Sequence, residues 1–209
     1  MEKRIPNVKI VTPKGIAQYP HLTKADTKFS EVGEFKTSLI LPKQDASEIL
    51  KAIDRVCGQS LNLAKDKTKG EAIKEAPKPY QNEVDDSGKE TGNVVIKFKC
   101  KAKVTTKSGE SFDNKPAIFD AKGNPLTNVN IWGGTQMKVS AELIPYYTNM
   151  VGAGVSLRLR AVQILKLVEG GTDSSGFGFE KEDGYEHHTE TIITEEANGT
   201  STNSKEEDF

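Results

Sequence analysis

The chain is poor in the residues on which enzymes and secreted proteins are usually built. Among its 209 residues are two cysteines, Cys57 and Cys100, with neither CxxC nor histidine-paired spacing. That argues against a disulfide framework and a thiolate zinc site, and for reduced thiols in a cytosolic setting. There are three histidines, His21, His187 and His188, and no serine, cysteine or carboxylate falls in a recognisable nucleophile or metal-binding motif. The phosphate-loop pattern is missing as well, because Gly133-Gly134-Thr135 lacks the preceding glycine and the lysine. No catalysis, cofactor or metal is expected. No apolar run approaches the ~18 residues of a membrane helix, and the N-terminal MEKRIPNVKI lacks the apolar stretch of a signal peptide. A soluble, intracellular protein with no membrane segment is expected.

What the chain does have is charge, unevenly placed. The formal net charge is −1, yet residues 1 to 168 carry 27 Lys and Arg against 18 Asp and Glu, while residues 169 to 209 carry 2 against 12. A basic body followed by an acidic tail is the pattern of a surface that meets a polyanion and a segment able to compete for it. The tail is rich in Gly, Ser, Thr, Asp and Glu, with isolated aromatics, and cannot bury enough apolar surface to offset its ordering entropy. Two parts are therefore expected: one domain over residues 1–169 and a flexible acidic tail over residues 170–209.

Within the body, apolar residues alternate, which predicts a mainly β domain. From Asn93 to Val104, the residues Val94, Ile96, Phe98, Cys100, Ala102 and Val104 share one face, and Lys97, Lys99, Lys101 and Lys103 share the other. Glu34 to Leu41 alternates similarly and is expected to stop at Pro42. Gln136 to Ile144 sets Met137, Val139, Ala141 and Leu143 on one side, with Pro145 expected to end the strand. Val155 to Val168 places Val155, Leu157, Leu159, Ala161, Leu165 and Leu167 inward and Arg158 and Arg160 outward. Past Arg160 both faces turn apolar, so burial on two sides is expected there. One stretch breaks the pattern: Ala46, Ile49, Leu50, Ile53, Val56 and Cys57 follow helical spacing, with Asp45 as N-cap and Glu48 three residues on. A weaker, interrupted continuation is read from Ser60 to Lys74. Turns are expected at Asp86-Ser87-Gly88, Lys107-Ser108-Gly109 and Ala121 to Pro125, the second folding the lysine strand back onto Phe112.

A row of lysines on one strand face is often only a solvated face. Four outward lysines with no acidic partner along the strand repel one another, however, and phosphates would relieve that repulsion with release of counterions. Lys36, Lys138, Arg158 and Arg160 on neighbouring strands extend the stripe. Exposed aromatics separate single strands from duplex, because only an unpaired base presents its face to a ring. Trp132, before Gly133-Gly134, and Tyr146-Tyr147, after Pro145, stand at expected strand ends or loops and are the candidates. The DNA-contacting set is therefore Lys36, Lys97, Lys99, Lys101, Lys103, Lys138, Arg158 and Arg160 for phosphates, and Trp132, Tyr146 and Tyr147 for bases.

VIKFKCK (Val95 to Lys101), IFDAKGNP (Ile118 to Pro125), IWGG (Ile131 to Gly134), LIPYYTNMVGAGVSLRL (Leu143 to Leu159) and an acidic terminus ending in Asp208-Phe209 occur here in order. Together they resemble the single-stranded DNA-binding proteins of short-tailed, T-odd-type bacteriophages. The resemblance implies an OB-fold, a five-stranded partly open barrel with an inserted helix. It also implies non-catalytic coating of single-stranded DNA in replication, recombination and repair in the cytoplasm of an infected bacterium, and formation of a homodimer. Through the acidic tail it implies contacts with the phage DNA polymerase and helicase-primase, which assigns Glu206, Glu207, Asp208 and Phe209 to partner binding. Carried across by motif, Lys99, Tyr146 and Phe209 are the matching positions.

Three other readings remain open on the residues. One is an OB protein that also binds duplex DNA or RNA, since all share phosphates. Another is a virion structural module, which would not need the lysine stripe. The third is a phosphoryl-transfer enzyme, for which Asp85-Asp86 is the sole candidate carboxylate pair. For the terminal aromatic, the charge mirror suggests a mimic: carboxylates in place of phosphates and Phe209 in place of a stacked base, occupying the groove until DNA displaces them.

Overall fold

Alternation sets the fold. In the computed structural model, which describes residues 5–28, 30–68, 72–106 and 108–168, the described residues form ten strands and one helix. Five of these strands close on themselves. They are β2 (Gly15–Asp26), β3 (Glu34–Pro42), β5 (Glu90–Lys101), β10 (Gly152–Lys166) and β9 (Gln136–Thr148), joined in that order, with β9 returning to β2. β10 runs parallel to β5 and antiparallel to β9. Three shorter strands decorate the ring, β1 (Val8–Val11) on β9, β4 (Tyr80–Val84) on β5, and β8 (Ala117–Phe119) on β10, while β6 (Lys103–Thr105) and β7 (Ser111–Asp113) form a separate hairpin. The expected five-stranded, partly open OB barrel is present.

The opening lies between β5 and β10, whose register holds one pair, Arg158 opposite Lys99. Below that pair the gap is filled by the stretch from Lys74 to Pro79. Ala153 N–H donates to the Lys74 carbonyl (2.9 Å), Ala76 N–H to the Ala153 carbonyl (2.8 Å), and Lys97 N–H to the Pro79 carbonyl (2.9 Å). This close approach explains two glycines of the VGAGV motif. A Cβ on Gly152, whose φ is +103°, would lie 2.2 Å from the Lys74 oxygen, and one on Gly154 would lie 2.8 Å from the Ala76 Cβ.

The core is the inward half of each alternation. Phe35, Leu39 and Leu41 of β3, Val94, Ile96, Phe98 and Cys100 of β5, and Met137, Val139, Ala141 and Leu143 of β9 are all buried. Helix α1 (Ser47–Lys67) seals one end with Ile49, Ile53, Val56, Ser60 and Ala64, and Ser60 Oγ donates to the Tyr146 carbonyl at 2.8 Å. The helix is longer than expected: it runs unbroken through Gly58, which has open space around it. Its N-cap is Ala46 with no side-chain cap bond, not Asp45. The fourth-residue spacing of small Ser60 and Ala64 continues the buried stripe that the polar sequence conceals.

Three strand expectations fail for reasons of backbone geometry. β9 passes through Pro145 to Thr148. β1 pairs with β9 only as far as Leu143, so beyond it one edge of β9 is open and a missing N–H costs no ladder bond there. In β10, a register shift between Leu159 and Ala161 leaves Arg160 as an extra residue. This bulge flips the parity: Val162 and Ile164 become the buried residues, and Ala161, Leu165 and Leu167 are half-buried. The apolar run on both faces marks a bulge, not burial on two sides. The lysine strand likewise ends at Lys101. The chain bends at Ala102, and Lys103 begins the outlying hairpin in which Val104 faces Phe112. The turns at Asp86 to Gly88 and Ala121 to Pro125 are as expected, as is the folding back onto Phe112, although Lys107 falls outside the described residues. The tail, with Glu206, Glu207, Asp208 and Phe209, also lies outside them.

Candidate nucleic-acid interface

Register alone lines up three cations and a histidine. Lys36 of β3 pairs with Lys99 of β5, and Lys99 pairs with Arg158 of β10. β2 adds His21 opposite Lys36. Directly opposite residues share a face, so His21, Lys36, Lys99 and Arg158 form one row across four ring strands. Lys97 and Lys101 flank Lys99 along β5, and both are exposed. Alternation sets Arg160 on the same face as Arg158, and both guanidiniums approach one carboxylate, Glu142 of β9, at 3.7 Å each.

The sequence pattern lacked acidic partners along the lysine strand, but adjacent strands supply them. Lys36 pairs with Asp26, and Lys99 with Glu34 at 3.5 Å. Asp26 is held below the usual carboxylate range, first by the hydrogen bond from Lys36 and then by the backbone N–H of Lys28. These pairs are partly exposed, so they moderate the repulsion within the row without neutralising it.

The row lies in a trough of three adjoining depressions. The largest, about 960 Å³, is walled by Lys36, Lys97, Lys99, Tyr146, Tyr19 and His21, among others. Glu34, Lys99 and Ser156 are shared with a second groove of about 640 Å³ that carries Lys101, Arg158, Arg160 and Phe112. At the other end, Tyr19 and His21 are shared with a cleft of about 540 Å³ that carries Trp132.

The trough brings together Lys36, Lys97, Lys99, Lys101, Arg158, Arg160, Trp132 and Tyr146. Lys138 stands apart, in a shallow depression with Val11 and Phe119 that shares no wall with the trough. Lys103 is exposed on the outlying hairpin. Tyr146 and Tyr147 lie at the C-terminal end of β9, just before its last residue Thr148, opposite Gly154 and Ala153. Tyr146 has the outward parity of Glu142, and its ring lies across Gly154, where an added Cβ would be 3.1 Å from its hydroxyl; Tyr147 has the opposite parity. Sequence reasoning missed Tyr19 and Phe112, which are 73% and 54% exposed. Phe112, a lone aromatic between Ser111 and Asp113, offered a local signal; Tyr19, on the parity of the inward Gly15 and Ala17, offered almost none.

Among the described residues no group of three or more His, Cys, Asp and Glu could hold a metal ion. Asp85 is engaged in its own turn, accepting from Ser87 N–H, Ser87 Oγ and Lys89 N–H. Among the described residues, no helix is long and apolar enough to cross a membrane.

No curated protein matches the chain in sequence. Among solved structures it is similar to gp2.5, a single-stranded DNA-binding protein encoded by bacteriophage T7. That match has 25% identity and a TM-score of 0.69 over 88% of this chain and 100% of that one. The single-stranded DNA-binding protein of bacteriophage Enc34 shares the fold, with 20% identity and a TM-score of 0.53 over 82% of this chain and 90% of that one. The same Enc34 protein in complex with single-stranded DNA matches with 22% identity and a TM-score of 0.52, over 78% and 88% respectively. The family model described as single-stranded DNA-binding protein, bacteriophage T7, matches residues 13–167, which span the whole ring and its trough. The chain belongs to that family of phage single-stranded DNA-binding proteins.

Proposed function

We propose that this chain coats single-stranded DNA during phage replication, recombination and repair, in the cytoplasm of the infected bacterium, without catalysing a reaction. The observation that carries this reading is the His21–Lys36–Lys99–Arg158 row lying in a trough with exposed rings along it. Lys36, Lys97, Lys99, Lys101, Arg158 and Arg160 hold phosphates, whose neutralisation releases counterions. Trp132 and Tyr146 take base faces. Lys103 meets the strand only where it leaves past the hairpin, and Lys138 and Tyr147 contribute least.

The domain ends near residue 169, and residues 170–209 compete for the trough from within the same chain or a partner chain. The opposite charge excesses on the two segments support this. Displaced by DNA, the terminus with Glu206, Glu207, Asp208 and Phe209 contacts the phage DNA polymerase and helicase-primase, and the protein acts as a homodimer. Removal of residues 170–209 then tightens DNA binding at low salt; weaker or unchanged binding contradicts the competition.

The reading as a whole is tested by competition among single-stranded DNA, duplex DNA and RNA of equal phosphate number at one salt concentration. Single-stranded DNA is expected to win over duplex by tenfold or more. Equal affinity for duplex would reduce the surface to a general phosphate binder.

A further inference from the structure

The cleft that carries Trp132 differs in kind from the grooves it adjoins. No lysine, arginine or carboxylate stands in its wall, which is built of Ile16, Tyr19, Pro20, Ile40, Ile131 and Trp132 together with small residues, Gln18 and His21. Its two rings are both outside the core, Tyr19 at 73% and Trp132 at 52% exposure. Neither position is accidental. β2 shifts register between Gln18 and His21, so Tyr19 and Pro20 bulge from the ladder, and Tyr19 is held at φ +48°. A residue with a bulky side chain adopts that region only when its surroundings enforce it, and such residues gather at functional sites.

The Trp132 turn is bonded to the same strand. Ala17 N–H donates to the Thr135 carbonyl at 2.8 Å, and Gly134 N–H donates to the Ala17 carbonyl at 2.9 Å. Two exposed rings are thus fixed to one uncharged cleft from neighbouring, hydrogen-bonded segments. Tyr19 and His21 are walls common to this cleft and to the cationic groove.

We infer that Tyr19 and Trp132 form a nucleobase subsite: one base of the bound strand enters this uncharged cleft while its flanking phosphates lie along the Lys36–Lys99 row. This rests on the function proposed above and adds Tyr19 to it, as the partner of Trp132 in one base site. Only a planar, uncharged group continuous with a polyanion suits an apolar cleft opening into a cationic groove. A ring takes any base by its π-face, so the subsite is indifferent to sequence.

Trp132 is the sole tryptophan of the chain, so its emission reports the cleft directly. The probes are oligothymidylate and an abasic oligonucleotide of the same length, titrated against the full chain at low salt. Oligothymidylate is expected to quench Trp132 and the abasic strand to bind without quenching. The variant Tyr19→Gly removes the ring and suits the positive φ. It should weaken oligothymidylate binding by roughly tenfold, the scale of one lost stack. Abasic binding and the slope of log affinity against log salt should stay unchanged, and Tyr19→Phe should retain full affinity. Unchanged oligothymidylate affinity in Tyr19→Gly overturns the subsite, as does an equal loss for the abasic strand or binding of both probes without quenching. Failure of the unaltered chain to bind either probe overturns the functional reading itself.

Discussion

The cationic row and the aromatic cleft are neighbours made by opposite means. The row comes from regularity: strands in register place Lys36, Lys99 and Arg158 side by side because alternation and pairing leave no other outcome. The cleft comes from irregularity, a bulge at Tyr19 and Pro20 and a turn at Trp132 stitched to Ala17. Regular strands repeat one chemistry at even spacing, which suits a backbone of repeated phosphates. Irregular segments present one side chain at one place, which suits a single base. Arg160 falls between the two cases, a cation set beside Arg158 by alternation but left unpaired in the ladder by a bulge.

The comparison breaks most visibly if the row is removed. Lys99→Ala combined with Arg158→Ala should lower affinity for single-stranded DNA by about a hundredfold at moderate salt, since two charge-assisted phosphate contacts are lost. The two residues are register partners, so their effects will not simply add; titration of a labelled oligonucleotide reads the loss. Next comes the cleft: Trp132→Ala should cost about 1–3 kcal/mol of binding, and a binding isotherm with an abasic strand should show no corresponding loss.

A smaller effect of opposite sign is expected at Glu142, which both arginines approach at 3.7 Å. Glu142→Gln should tighten binding several-fold by removing a competing anion, and weaker binding would make Glu142 an organiser of the row instead. The smallest effect concerns the inner face of the lysine strand. Burial pushes the Cys100 thiol up to about 11. A thiol raised in the folded state stabilises the fold fully below its unfolded value of about 8.5, and that contribution is lost as pH rises from there towards 11. Alkylation of Cys100 in the folded chain at pH 8 should accordingly be far slower than that of a free thiol, and denaturation midpoints should fall over that window.

How far the sequence could be read follows the same division. The alternation of Val94, Ile96, Phe98 and Cys100 against Lys97, Lys99 and Lys101 is reproduced in β5, and it suffices for a barrel with a cationic outer stripe. Sequence could not tell which strands lie next to which, and Lys138, on an equally regular strand, faces a separate depression with Val11 and Phe119. Nor could it place Asp26, Glu34 and Glu142 among the cations, because all three arrive from adjacent strands. The bulge at Arg160 left a trace in the switch of apolar parity to Val162 and Ile164, a pattern that without pairing information is indistinguishable from two-sided burial. Tyr19 left almost none: a positive φ on a tyrosine is imposed by tertiary packing, and no local preference announces it.

The central claim is that phosphates and bases are held by different parts of one trough, and salt dependence tests it most directly. Affinity for single-stranded DNA should be measured across a salt series for the unaltered chain, for Lys99→Ala with Arg158→Ala, and for Trp132→Ala. The slope of log affinity against log salt should become shallower by roughly 1.4 for the double variant and stay unchanged for Trp132→Ala. An unchanged slope in the double variant, or an equal change in both variants, would contradict it.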